Sequence, residues 1–346
     1  MTKKIFTKEK WMETLKGLKE NYKLLVPFKD GDFHNFKSLD EVVKADFDYE
    51  NTRLSPKGLI YPQSERMFEC SIDSDAVDAH IYEESPKDYS PQAIVGIRPC
   101  DAQAFQIVKL NFSNPEFNDP WWLQHYESTV LVGLGCNNPC PSCFCTSVGG
   151  GPFHKKHLDV LLYDLGEHYL AEAVTEKGEA FLEKAEGGNP AEESFTEAAG
   201  KLAGEAESKI TSAPPTDKLK DKDVLGLFDA SFWDNVAFAC INCGTCTYLC
   251  PTCWCFDIQD EVYEKTADRL RNWDSCMFPL FTLHGSGHNP RDEKVQRVRQ
   301  RFMHKLKYYV DKYENGIQCS GCGRCVRFCP VNIDIRQVCE EMNSYE

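Results

Sequence analysis

The sequence predicts an α/β N-terminal domain followed by a mainly α domain organised around paired cysteine runs. Three observations carry this. Two apolar runs, Ala93–Ile97 and Thr129–Leu134, read as buried strands, and each delivers a cysteine just past its end. Two cysteine runs of one spacing begin at Cys240 and Cys319. Between these regions, Ser212-Ala213-Pro214-Pro215 reads as a linker. The division is therefore 1–215 and 216–346, with a helical insert at 256–315 between the two cysteine runs.

Size and charge narrow the class. The chain has 346 residues, 42% of them hydrophobic and 12% aromatic, enough for two folded domains rather than disorder. The formal net charge of −15 argues against binding nucleic acid by neutralising phosphates, and against docking on an anionic membrane. The start carries Lys3, Lys4, Lys8 and Lys10 without an apolar stretch behind them. No run approaches the roughly 18 apolar residues of a membrane span. The expectation is a cytoplasmic protein.

In chain order, Lys8 to Tyr22 reads as an amphipathic helix, with Trp11, Leu15 and Leu18 at helical spacing. Ser38-Leu39-Asp40-Glu41 resembles a capping box entering a short helix. Ala93–Ile97 runs into Arg98-Pro99-Cys100-Asp101 and then a helix over Ala102–Leu110. Thr129–Leu134 ends at Gly135-Cys136. The C-terminal ends of adjacent strands are the usual place for α/β chemistry. Gly149-Gly150-Gly151-Pro152 is a turn, and Asp159–Tyr163 with Tyr169–Val174 reads as a hairpin. From Asp164 to Glu207 there are 12 acids and 3 lysines, a local charge of −9. This stretch reads as solvated surface helices and loops, or as a docking face for a basic partner. Asn289 and Pro290 open a helix with the apolar stripe Val295, Val298, Phe302, Leu306 and Tyr309. Its other faces carry Arg291, Lys294, Arg297, Arg299, Arg301, Lys305, Lys307 and Lys312. That basic surface reads as a solvated face, a mate for the acidic stretch, or a contact for an acidic redox partner.

The cysteines decide the chemistry. Fourteen of the 18 fall in three groups, Cys136 to Cys145, Cys240 to Cys255 and Cys319 to Cys329. A disulfide framework suits small exported domains, which this chain is not. The last two groups share one pattern: Cys240-x2-Cys243-x2-Cys246-x3-Cys250-Pro251 and Cys319-x2-Cys322-x2-Cys325-x3-Cys329-Pro330. This is the spacing of a ferredoxin-like domain carrying two [4Fe–4S] clusters, in which the fourth thiolate of each run ligates the other cluster. Cluster I then takes Cys240, Cys243, Cys246 and Cys329. Cluster II takes Cys319, Cys322, Cys325 and Cys250. Zinc knuckles fit less well, since they pair two C-x2-C units or add histidine. The group Cys136-x3-Cys140-x2-Cys143-x-Cys145 matches no ferredoxin spacing and reads as a metal site of open nuclearity.

Further residues carry a family resemblance. Ile97-Arg98-Pro99-Cys100-Asp101, Gly135-Cys136, Cys143-Phe144-Cys145-Thr146-Ser147-Val148-Gly149, Cys250-Pro251-Thr252-Cys253-Trp254-Cys255-Phe256-Asp257, Trp273-Asp274-Ser275-Cys276 and His288-Asn289-Pro290-Arg291 stand beside the second ferredoxin run. Together they resemble the iron–sulfur β-type subunits of anaerobic sulfite reductase and of sulfhydrogenase-type [NiFe] hydrogenases. They also resemble the flavin oxidoreductase subunits of heterodisulfide-reductase-like complexes. The resemblance implies cysteine ligands at Cys100, Cys136, Cys143 and Cys145, hence a third [4Fe–4S] cluster. Cys140 departs from the family pattern and competes as a ligand there. The implied function is an electron-transfer subunit between a flavin/NAD(P)H-binding subunit and a catalytic redox subunit of an anaerobic complex. Two alternatives stand beside it: sulfur chemistry at the Cys136–Cys145 group, and a free-standing ferredoxin-like carrier.

The remaining thiols, Cys253, Cys255, Cys70, Cys276 and Cys339, read as buried or neighbouring cysteines rather than ligands. His284/His288 and His154/His157 read as loop residues. No nucleotide-binding loop and no nucleophile–base arrangement stands out.

Overall fold

The computed structural model describes residues 2–346; Met1, the first residue of the expected N-terminal domain, lies outside them. The strands are β1 (Lys3–Thr7), β2 (Lys23–Asp30), β3 (Phe33–Ser38), β4 (Ser64–Ser71), β5 (Glu83–Glu84), β6 (Gln92–Ile97), β7 (Thr129–Leu134), β8 (Val160–Asp164), β9 (His168–Ala173), β10 (Asn189–Pro190), β11 (Phe256–Tyr263) and β12 (Thr266–Trp273). Eight form one sheet in the order β10-β1-β9-β8-β7-β6-β2-β3. Its centre, β2-β6-β7-β8, is parallel, and β8 and β9 form the expected hairpin. Every residue of β6 and β7 is buried, as a parallel strand covered on both faces requires.

Helices cover both faces. On one, α1 (Lys8–Leu18) packs Trp11, Leu15 and Leu18 into a core with Val95, Val132 and Leu162. On the other, α2 (Pro99–Phe112) and α3 (Pro120–Glu127) bring Phe105, Phe112 and Trp122 against Ile94, Leu131 and Leu161. The acidic stretch forms α4 (Glu176–Lys184) and α5 (Glu193–Ser208), largely exposed. Gly96 sits in the left-handed region (φ 95) where the β6–β7 register shifts. This bulge sends Ile97 to the second face and aims Arg98 and Cys100 past the sheet edge.

The C-terminal half is built from α6 (Val224–Phe228), α7 (Phe232–Phe238), α8 (Thr245–Tyr248), α9 (Lys294–Met303), α10 (Tyr309–Tyr313), α11 (Arg324–Arg327) and α12 (Ile335–Ser344). Trp233, Val298, Phe302, Leu306, Val310, Val338 and Met342 form its core. A π-helical turn at His304–Tyr308 joins α9 to α10 and shifts the register, so Val310 and not the predicted Tyr309 continues the stripe of Val298, Phe302 and Leu306.

Three local expectations are corrected. The insert is not helical throughout: β11 and β12 form a hairpin, and β12 pairs with β4 in a second sheet, β11-β12-β4-β5. Ser38 ends β3 instead of capping a helix, because it is held in the ladder opposite Leu25, and Leu39 and Val42 pack on the core from an irregular segment. The basic helix starts at Lys294, capped reciprocally by Glu293 and Gln296, while the Asn289 carboxamide accepts from Arg291 N and Thr282 Oγ1.

Candidate metal centres

The two ferredoxin runs fold as near copies. Asn242 and Gly321 occupy equivalent left-handed positions (φ 54 and 66), and so do Gly244 and Gly323 (φ 74 and 72). The amides of Asn242 and Gly321 each lie 3.4 Å from the sulfur two residues earlier, Cys240 and Cys319. Each loop then enters a one-turn helix, α8 or α11. A tight loop of this kind turns three thiols and several N–H groups toward one space.

Those spaces are present. Cys240, Cys243, Cys246 and Cys329 line one cavity, with Ile241, Val298, Phe302 and Ile335. Cys250, Cys319, Cys322 and Cys325 line a second, with Phe144, Thr252 and Lys305. Each thus combines three cysteines of one run with cysteine from the other, Cys325 and Cys329 in the first cavity and Cys250 in the second. Cys325, Arg301 and Ile335 border both cavities, so the two share a wall.

The third group sits against the second cavity. Cys100 opens α2, Cys136 follows β7, and Cys143 and Cys145 flank Phe144. Cys100 neighbours Cys136 and Cys322, and Cys145 neighbours Cys136 and Cys322. Cys143 lies beside Cys100 as well, but its closest thiol is Cys140. The structure therefore gathers all four expected residues, with Cys140 and the Cys322 loop among them. Phe144 N donates to Gly321 O at 2.9 Å. A Cβ on Gly321 would stand 2.6 Å from Cys145 backbone, and one on Gly323 would stand 2.6 Å from Ser142 O. Glycine is thus required at both positions by close approach as well as by φ.

Charge is the strongest clue. Lys57, Arg98, Arg301 and Lys305 are buried, and among the described residues none pairs with a carboxylate. Each lies among thiols: Lys57 by Cys253 and Cys250, Arg98 by Cys136 and Cys100, Arg301 by Cys246 and Cys325, Lys305 by Cys250 and Cys253. Burying an ammonium or guanidinium without an opposing charge costs several kcal/mol, on the order of the effective penalty for a desolvated ion. Burial also pushes the Cys246, Cys319, Cys322 and Cys325 thiols up, so thiolates form there only against a cation or a metal. Four thiolates on a [4Fe–4S] core carry a net negative charge, which fits the donor sets and the unpaired cations together. A further cation, Arg324, is matched conventionally. It forms a fork on Asp101 at 2.6 and 2.8 Å and donates to Thr52 O at 2.9 Å, joining the second run to the N-terminal half.

The basic helix is thereby corrected in part. Arg297, Arg301, Lys305 and Lys307 are buried and so belong to no solvated face, while Arg291, Lys294 and Arg299 are half-buried and Lys312 is exposed. A signal was present: Arg301 and Lys305 fall three and seven residues after Val298, on the apolar arc. Lys57 and Arg98 carried no comparable signal.

Residues 239–333 match the family model described as a 4Fe-4S dicluster domain. Over 345 residues the chain is 30% identical to "Sulfhydrogenase 2 subunit beta" of Pyrococcus furiosus, covering 96% of each protein. No solved structure matches. No helix among the described residues is long and apolar enough to cross a membrane.

Proposed function

The chain belongs to the sulfhydrogenase β-subunit family of iron–sulfur electron-transfer subunits, and from that premise we propose that it relays electrons between a flavin/NAD(P)H-binding subunit and a catalytic redox subunit in the cytoplasm. Cys240, Cys243, Cys246 and Cys329 would hold one [4Fe–4S] cluster, and Cys319, Cys322, Cys325 and Cys250 a second. Cys100, Cys136, Cys143 and Cys145 would hold a third. Bound there, such clusters accept and return single electrons. The protein's own part is to hold the thiols, exclude water and balance charge. Phe144, Val298, Phe302 and Ile335 keep the walls apolar, while Arg301 and Lys305 offset negative charge at two of the sites.

The observation that carries this reading is the pair of cavities walled by crossed cysteine sets, with buried cations that have no carboxylate. The third group's contact with the Cys319–Cys325 loop supports a continuous chain of three centres. Anaerobic purification tests it. The chain alone should bind iron and sulfide, show reducible cluster signals, and fail to oxidise NADH until a flavin subunit is added. NADH oxidation by the isolated chain would overturn the subunit reading.

One observation favours a second reading, chemistry at the third group. A polar cavity of about 230 Å³ lies beside Cys136, lined by Asp48, Glu50, Arg98, Asn137, Asn138 and Asp164. A change in the electron paramagnetic resonance of that centre on adding sulfite or polysulfide would support it.

A further inference from the structure

A hexapeptide occurs twice in the chain: Cys140-Pro141-Ser142-Cys143-Phe144-Cys145 and Cys250-Pro251-Thr252-Cys253-Trp254-Cys255. Both copies read Cys-Pro-hydroxyl-Cys-aromatic-Cys. They also fold alike. Cys143 N donates to Cys140 O at 2.9 Å, and Cys253 N donates to Cys250 O at 3.3 Å. In each copy the first two thiols are in contact, Cys140 with Cys143 and Cys250 with Cys253. The first copy contributes Cys143 and Cys145 to the third centre. In the second copy, only Cys250 has a role so far.

A third thiol is delivered to the second copy. Cys276 follows β12, and its loop is pinned in three places. Asp274 N donates to Cys255 O at 3.0 Å, the Ser275 and Thr247 hydroxyls are 2.8 Å apart, and Met277 N donates to Ser275 Oγ at 3.1 Å. The Cys276 thiol meets Cys255 and neighbours Cys253. Cys276 lies far from the other cysteines in the sequence, and the hairpin brings it to this group by returning the chain to its own start.

The unpaired cation here is Lys57. It is buried, donates to Cys253 O at 2.9 Å and Thr247 O at 3.4 Å, and lies over the Trp273 ring at 4.1 Å. Its neighbouring acidic groups are the thiols Cys253, Cys250 and Cys255. Thiolates held by a metal would set negative charge against the Lys57 Nζ.

We propose that Cys253, Cys255 and Cys276 hold a further iron–sulfur cluster, beside the second ferredoxin cavity, with three thiolate ligands from the protein. Among the described residues no three ligating side chains converge as they would on a single ion. A cluster does not require that, because each of its irons takes its own thiolate. Three cysteines leave one iron without a protein thiolate, so this centre differs from the ferredoxin pair in having an exchangeable position.

The proposal rests on the reading of the chain as a cluster-loaded subunit, and the test separates the two. Iron and sulfide are measured on the anaerobically purified full chain, together with its Cys276→Ser and Cys319→Ser variants. Cys276→Ser is expected to lose about four irons per chain, one cluster's worth, while keeping the signals of the other centres. Cys319→Ser losing iron while Cys276→Ser keeps all of it would overturn the proposal and leave the electron-transfer reading intact. If neither lost iron, both would fall. Alkylation of the wild type guards against a variant that does not fold. Cys255 and Cys276 should resist iodoacetamide in the loaded protein and react after iron is chelated. Equal labelling before and after chelation would overturn the proposal.

Discussion

At the scale of the residue, Lys305 shows what charge does in this protein. Its ammonium is 2% exposed and donates to Thr252 Oγ1 at 2.8 Å and Gln318 O at 3.3 Å. Both acceptors are neutral, so the charge is left to act on the cavity walled by Cys250 and Cys319. Reduction of a cluster held there would add negative charge, and a cation favours the reduced state. Lys305→Met keeps the volume and removes the charge. With an effective dielectric near 20 and a separation of roughly 8 Å, one charge is worth about 2 kcal/mol, or on the order of 50–100 mV for one electron. A redox titration followed by paramagnetic resonance should find that centre's potential lowered by this amount with iron content unchanged; an unmoved potential would show that Lys305 does not face it. The two cysteine runs of the dicluster domain were legible because their spacing is local. Lys305 was legible only in part: its place on the apolar arc after Val298 signals burial, but the thiols it faces come from Cys250 and Cys253, far away in the sequence.

At the scale of the element, the β11–β12 hairpin shows a different blind spot. β11 is exposed at nearly every position, so it carries no alternation between inside and outside. Its existence is decided by β12 pairing with β4, almost 200 residues earlier in the chain. Arg271 of β12 fixes that pairing. It is 2% exposed, bonds Glu65 of β4 at 2.6 Å and also Asp119, and lies among Tyr61, Phe112, Trp121 and Phe256. Burial works to raise the Glu65 pKa, but the bond from His125 and the charge and bonds of Arg271 hold the carboxyl down to about 2. A carboxyl depressed in the folded state stabilises above its unfolded pKa, near 4.5, and that contribution is lost as pH falls toward 2. The depression corresponds to about 3 kcal/mol. Glu65→Gln should therefore lower the melting temperature at pH 7 by several degrees, and the gap to wild type should narrow as pH is lowered from about 4.5. A gap that stayed constant with pH would mean that packing around Arg271, not the ion pair, holds the hairpin. By contrast, β7 was legible to the residue, because a fully buried strand bounded by a turn is written in its own six side chains.

At the scale of the molecule, the charge of −15 resolves into layers. Acids on α4 and α5 face outward, while Arg301 of α9 and Lys305 just after it turn inward toward the cysteine cavities. The sequence displays both as surface features, and only the packing separates them. The same packing bears on the expected boundary at 215. The hairpin from beyond the linker completes a sheet begun by β4, and Trp254, Phe256 and Trp273 pack on the core under the large sheet. Arg324 of the second ferredoxin loop forks onto Asp101 of α2, and Tyr309 Oη donates to Ile107 O at 2.9 Å. Each half thus buries polar groups that only the other satisfies, and separating them exposes unpaired charge as well as apolar surface. Two independent domains would melt separately. This chain should instead unfold in one transition, with far-UV helicity and the visible absorption of the clusters lost at the same temperature. Arg324→Met leaves Asp101 buried without its partner, a loss of about 3–5 kcal/mol, and should lower both midpoints together. If the visible signal fell at a lower temperature while helicity persisted, the C-terminal half would be an independent unit and the shared sheet a contact of little energetic weight.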